Sequence, residues 1–155
     1  MTPGISVAKK AKITHKVHQY AHDPSSESFG EEAAEKLGVP AARVFKTLVI
    51  SLDNKQLAVG IIPVSSKLSM KHIAKAAGVK RATLAAQSDV ERSTGYVLGG
   101  VSPLGQKQML KTIIDASAKK YPSVYVSAGR RGLEIELSPD DLARLINASF
   151  AQICQ

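Results

Sequence analysis

One cation stands inside an otherwise apolar run: Val44-Phe-Lys-Thr-Leu-Val-Ile50 places Lys46 among branched residues that read as a strand. A lysine there either snorkels its ammonium to water or projects into a cleft where the charge has a partner. A second unusual stretch is Arg92-Ser-Thr-Gly-Tyr-Val-Leu-Gly-Gly-Val-Ser-Pro-Leu-Gly105. Glycine tolerates positive φ and close approach, so such a run can aim several N–H groups at an ester carbonyl or a phosphate; a tight turn is the plain alternative. It lacks both G-K-[ST] and G-x-G-x-x-G, which excludes the Walker A and dinucleotide patterns. The third is Val124-Tyr-Val-Ser-Ala-Gly-Arg-Arg-Gly-Leu-Glu-Ile-Glu136, where Ser127, Arg130, Arg131 and Gly132 fall at a strand-to-strand turn; an ordinary basic hairpin has the same composition.

Other chemistries are missing their residues. There is no G-x-S-x-G elbow, and the single cysteine, Cys154, sits second from the end where fraying is expected, so no protein-borne covalent nucleophile is predicted. His15, His18 and His22 recur at spacings of three and four, but their segment reads as a strand, which points positions 15 and 18 to opposite sides. Without H-E-x-x-H or a cysteine cluster, neither a metal nor another cofactor is expected. No apolar run is long enough for a membrane span, and a reducing cytoplasm fits the lone thiol.

Charge points to the partner class. Against 13 Asp+Glu stand 21 Lys+Arg, a net +8. Lys9, Lys10, Lys12 and Lys16 lie in a stretch without acids, as do Lys55, Lys67, Lys71, Lys75, Lys80 and Arg81. Two basic stretches suit a polyanion, although solubilising charge gives the same count.

The elements that must position these groups follow from periodicity and caps. Ser6 to Lys12 reads as a basic helix, Thr14 to Tyr20 as a strand, and Glu31 to Leu37 as a helix stopped by Gly38. Val44 to Leu52 and Gln56 to Pro63 flank Asp53-Asn54-Lys55 as a hairpin. Ser69 caps a helix through Ala77, with Lys71 and Lys75 together on its polar side. Ser88-Asp-Val-Glu91 has capping-box spacing for a short helix ending near Gly95. Thr112 to Asp115, Ser123 to Ser127 and Leu133 to Leu137 read as strands, and Ser138-Pro-Asp-Asp141 opens a last helix. The expectation is one α+β domain over residues 1–155, built on a mixed, largely antiparallel and partly barrel-like sheet with flanking helices.

Phe45-Lys46-Thr47, Arg92 to Lys107 and Tyr125 to Leu137 together resemble the YbaK family of Cys-tRNA(Pro) deacylases, as do Tyr20-Ala-His-Asp23, Phe29-Gly30 and Pro63-Val64. The run R-S-T-G-Y-x-x-G-G-x-S-P-L-G-Q-K carries most of the weight. The family is related to the editing domain inserted in bacterial prolyl-tRNA synthetases, and the resemblance implies a mixed-sheet α+β fold, aminoacyl-tRNA as substrate and prolyl-tRNA synthetase as partner, with no DNA or membrane role. It implies an ester cleaved by the substrate's own thiol, Lys46 as the key cation, backbone donors at Gly99 and Gly100, and a pocket lined by Tyr20, Phe29, Thr47 and Ser127. Glu134 stands where the family commonly has Asp, and Ala128 where it has Gly, which bears on aminoacyl specificity. Lys71, Lys75, Arg130 and Arg131 are candidate tRNA contacts. Two alternatives stay open: hydrolysis of another mischarged tRNA such as Ala-tRNA(Pro), and a non-catalytic tRNA- or synthetase-binding module.

Overall fold

Caps and turns set most element ends in the computed structural model, which describes residues 1–26 and 28–155 apart from the side chain of Phe29. Helix α1 (Pro3–Ala11) starts on Thr2, whose side chain accepts from the Ile5 N–H, and ends where Lys12 turns left-handed. After β1 (His15–Gln19), α2 (Phe29–Leu37) carries Glu31 and Glu32 in its first turn, where the helix dipole favours acids, and stops at Gly38 with φ 69°. Strands β2 (Val44–Leu52) and β3 (Leu57–Pro63) form the expected hairpin. Helix α3 (Met70–Ala77) is capped by Ser69, which accepts from His72.

A short β4 (Ala82–Leu84) precedes α4 (Gln87–Thr94). Strand β5 (Lys111–Asp115) is followed by β6 (Val124–Arg130), β7 (Leu133–Leu137), α5 (Pro139–Ile146) and β8 (Ser149–Ala151). Helix α5 begins as its sequence dictates: Ser138 accepts from the Asp141 N–H, Pro139 occupies the first turn, and Asp140 and Asp141 meet the positive end of the dipole.

The described strands form one sheet in the order β1-β7-β6-β2-β3-β5-β8, with β4 added to β2. Pairing is antiparallel for β1–β7, β2–β3, β2–β4 and β6–β7 and parallel for β2–β6, β3–β5 and β5–β8, so the sheet is mixed and largely antiparallel. It does not close. The barrel-like expectation is corrected to an open sheet ending at β1 and β8.

Alternation along β2 feeds two cores. Phe45 and Val49 join Ile61, Val126 and Ile135 beneath residues of α1, α4 and α5. On the other face Ile50 packs with Ile62, Ile73 and Ile113 under α3, while Val44, Val64 and Tyr125 pack with Ala33 and Ala34 of α2. Each fully buried branched side chain contributes about 2 kcal/mol of transfer free energy.

Three local expectations are corrected. The α4 capping box does not form: Ala86 occupies the N-cap without a side-chain bond, and Glu91 instead accepts from Gln87 Nε2 and the Leu98 N–H. Strands β4 and β8, three residues each, were not foreseen. The C-terminus is not frayed either. Ser69 donates its N–H to the Ile153 carbonyl, Gln155 to Lys67, and Ile153 to Asp115 Oδ1, which pins Cys154 beside Leu68.

Candidate functional site

A break in strand pairing makes the cleft. Strand β2 pairs with β6 only at Val44↔Tyr125 and Phe45↔Val126, and with β4 only from Ile50↔Leu84 onward. Between those ladders, positions 46 to 48 of β2 have an open edge. A β-bulge drives the separation: β6 pairs with β7 in one register to Ser127↔Glu134 and in another at Arg130↔Leu133, so Ala128 and Gly129 swing the end of β6 away from β2. Gly129 takes φ 125°, and its N–H donates to Ser127 Oγ. The resulting cleft has a volume of about 470 Å³, within the range of small-ligand pockets.

Lys46, Tyr20, Thr47, Gly99, Ser127, Glu134, Arg130 and Arg131 all line it. Lys46, Ser127 and Glu134 share one face on the adjacent strands β2, β6 and β7, since Lys46 lies one step beyond the Phe45↔Val126 pair and Ser127 lies opposite Glu134. Lys46 has no hydrogen bond or ion pair within the protein among the described residues. Thr47 Oγ1 is buried without a hydrogen-bond partner.

Glu134 is 6% exposed and has no ion pair among the described residues, and burial pushes its carboxyl from the ordinary 4.5 up to about 8. At neutral pH it is a neutral acid able to donate its O–H. The Tyr20 hydroxyl is held above its ordinary value, first by burial and then by the nearby Glu134. The described lining includes the basic side chains Lys46, Arg130 and Arg131, and its one acid, Glu134, is neutral at pH 7.

The Gly99–Gly100 pair divides its work. Gly99 adopts φ 93°, lines the cleft, and its N–H has no acceptor among the described residues. Gly100 does not line it. Its N–H donates to the Val97 carbonyl, closing a turn, and a Cβ there would lie 3.0 Å from Arg130 Cα. The donor expected of both glycines is available from Gly99 alone.

Tyr20 is held in place from two sides. Its N–H donates to the Gly132 carbonyl, and the segment after it is gripped by α2: Glu32 Oε1 lies 2.6 Å from His22 Nδ1, Glu32 Oε2 accepts from the Asp23 N–H, and Lys36 donates to the Ala21 carbonyl. Gly132 sits at φ 85°, and a Cβ there would lie 2.7 Å from the Tyr20 carbonyl oxygen. Gly132→Ala is accordingly expected to lower stability by about 2 kcal/mol, read as a drop in urea midpoint, because strain and overlap with backbone add.

The remaining candidate residues fall elsewhere. Lys71 and Lys75 lie exposed on α3 and are not among the cleft's residues. The side chain of Phe29 lies outside the described residues. His18 meets Glu136, His22 meets Glu32 and His15 meets the Ile13 carbonyl, so each is engaged separately. Ser28, Gly30, Leu84, Ala85, Val90, Leu98 and Val101 complete much of the wall; Gly30, Leu98 and Val101 fall in the stretches that carry the family resemblance, and the others had no sequence signal. A Cβ on Gly30 would lie 2.3 Å from Val64 Cγ1.

An open-edged cleft with basic side chains, a free glycine N–H and a neutral acid has the chemistry to receive one end of an anionic ligand. Residues 23–145 match the aminoacyl-tRNA editing domain, and the chain belongs to that family. It is 36% identical over 152 residues, 98% of this chain and 92% of the relative, to EbsC of Enterococcus faecalis, provisionally named a Cys-tRNA(Pro)/Cys-tRNA(Cys) deacylase. Among solved structures it resembles the hypothetical protein APE2540 (TM-score 0.87, 25% identity, 99% of each chain). It also shares the fold of a provisionally named trans-editing enzyme for prolyl-tRNA synthetase (TM-score 0.80, 23% identity, 91% of this chain and 87% of that one). Among the described residues no helix is long and apolar enough to cross a membrane.

Proposed function

We propose that the chain is a trans-editing deacylase that removes cysteine misattached to tRNA(Pro), using the substrate's own thiol as nucleophile. The carrying observation is what the cleft holds: cations and neutral donors, with neither histidine nor cysteine among its described lining residues. Ser127 Oγ is engaged by the Gly129 N–H, and Cys154 lies outside the lining with its thiol pushed up to about 11, chiefly by burial. A cysteinyl ester brings what the wall lacks. Its sulfur loses a proton and attacks the carbonyl carbon, the bond to the tRNA 3′-terminal oxygen breaks, that oxygen takes up a proton, and a cyclic thiolactone leaves.

The protein's part is to orient and to stabilise charge. Gly99 N–H faces the developing oxyanion, and Lys46 sits against the ribose oxygen or phosphate. Glu134, neutral below about pH 8, donates its proton as a hydrogen bond without repelling the nucleic acid. Arg130 and Arg131 take phosphates near the mouth, and Lys71, Lys75 and the lysines of α1 extend the basic surface toward the acceptor stem. Phosphate contacts carry no sequence information, so a partner such as prolyl-tRNA synthetase supplies tRNA selection, in the cytoplasm where both are made.

Deacylation of a panel of aminoacyl-tRNAs tests the reading. Cys-tRNA(Pro) is expected to be cleared at least tenfold faster than Ala-tRNA(Pro), with thiolactone-derived cysteine as product. Faster loss of Ala-tRNA(Pro) would replace the thiol-assisted route with hydrolysis.

A further inference from the structure

The open edge of β2 carries more information than its side chains. Ladder bonds to β3 are made by alternate residues: the Val64 N–H donates to the Val44 carbonyl and the Leu52 N–H to the Gln56 carbonyl, which fixes Val44, Lys46, Leu48, Ile50 and Leu52 as the residues whose backbones face β3. Phe45, Thr47, Val49 and Ser51 therefore turn their N–H and C=O groups the other way. Phe45 is taken by β6 and Ser51 by β4, and the Val49 carbonyl accepts from the Ala85 N–H. Thr47 is left. Its N–H and C=O point into the gap where β6 has bent away, on the wall of the cleft, and its Oγ1 is buried there with no partner.

A buried hydroxyl without a partner is costly unless a ligand meets it, and here it stands beside an N–H and a C=O that no strand has taken. The spacing of the first two is that of one residue in an antiparallel ladder, which exchanges both bonds with one residue opposite. We infer that Thr47 is the receptor for the α-amino end of the substrate: the aminoacyl group docks as a one-residue strand, its ammonium donating to the Thr47 carbonyl and Oγ1 and its ester carbonyl accepting from the Thr47 N–H. This rests on the deacylase reading above and adds a requirement to it. The site reads the backbone of the amino acid through main-chain groups, so the free amine is a recognition element separate from the side chain and from the tRNA. Ser127, Glu134 and Tyr20 are left to face the amino-acid side chain and ribose, and Gly99 reinforces the same carbonyl oxygen from the opposite wall.

The test compares the full-length protein on cysteinyl-tRNA(Pro) and 3-mercaptopropionyl-tRNA(Pro), which keeps thiol, ester and tRNA and lacks the amine. Each rate is divided by that ester's spontaneous loss in buffer, which removes the amine's own effect on ester reactivity. The enhancement is expected to fall at least fiftyfold for the des-amino ester, mostly through KM. Thr47→Val keeps the β-branched shape and removes the hydroxyl, and is expected to narrow the gap between the two esters several-fold. Equal enhancements on both esters, with cysteinyl-tRNA(Pro) cleared, would overturn the Thr47 assignment and leave the deacylase reading standing. If the protein clears no aminoacyl ester of the panel, both fall together.

Discussion

Lys46→Ala is expected to lower turnover of the cleared aminoacyl-tRNA by 100-fold or more while changing tRNA affinity less than threefold. Lys46 is one of three cations in the lining and has no internal partner among the described residues, so its ammonium is available to the ligand and its loss disturbs no protein ion pair. A charge aimed at an oxygen that becomes more negative as the ester breaks acts on the transition state more than on the bound substrate, and such groups contribute on the order of 3 kcal/mol. Single-turnover deacylation beside filter binding separates the two quantities. Retained turnover would remove Lys46 from the site, whereas lost turnover with intact binding would exclude a purely tRNA-binding module. Lys46→Arg should recover little, because the planar guanidinium does not reproduce a compact point charge on a flexible stem.

The second large effect is on stability, at Glu134. Its carboxyl ionises near 4.5 when exposed and near 8 in the fold, so between those values the unfolded chain has released a proton that the folded chain keeps. Stability then falls as pH rises across that window, opposite in sign to the usual salt-bridged carboxylate. Glu134→Gln removes the titration and keeps the shape. The variant is expected to match the wild type near pH 4 and to exceed it by about 4 kcal/mol at pH 8 and above, measured by urea unfolding at both pH values. Wild-type turnover is expected to decline above pH 8, as a carboxylate appears beside the proposed phosphate contacts. A stability difference independent of pH would show that Glu134 titrates normally in the fold.

The ends of helices were legible because their signals are local. Ser138, Pro139 and two aspartates cap α5 through neighbours within four residues, and Gly38 and Gly78 stop α2 and α3 by accepting positive φ. The α4 cap departs from its sequence signal because Glu91, which the capping box needs at the helix start, is drawn instead to Gln87 and to the Leu98 N–H beyond the helix. Strands β4 and β8 exist through their partners. Ala-Thr-Leu has too few residues to show a period, and its pairing to Leu52, Ser51 and Ile50 is a tertiary fact.

The site divides in the same way. Lys46 and the Gly99 turn are anomalies visible in one dimension, a charge in an apolar strand and glycines in a cluster. That Glu134 is buried opposite Ser127 and near Tyr20 depends on register across strands far apart in sequence, and the open edge of Thr47 depends on a bulge in another strand. No periodicity reports a missing neighbour.

The β1–β7 pairing has a consequence for synthesis. His15 to Gln19 leave the ribosome long before their partners Leu133 to Leu137 are made. At ordinary elongation rates that wait is on the order of ten seconds, during which β1 has no sheet to join. The α2 grip on Tyr20 and the Gly132 contact therefore form in separate stages, and the cleft is assembled only after β7 has been made. A nascent chain arrested before Leu133 should leave residues 12–22 open to protease, and this stretch, with Lys12 and Lys16 and no long apolar run, is not one that would aggregate while waiting.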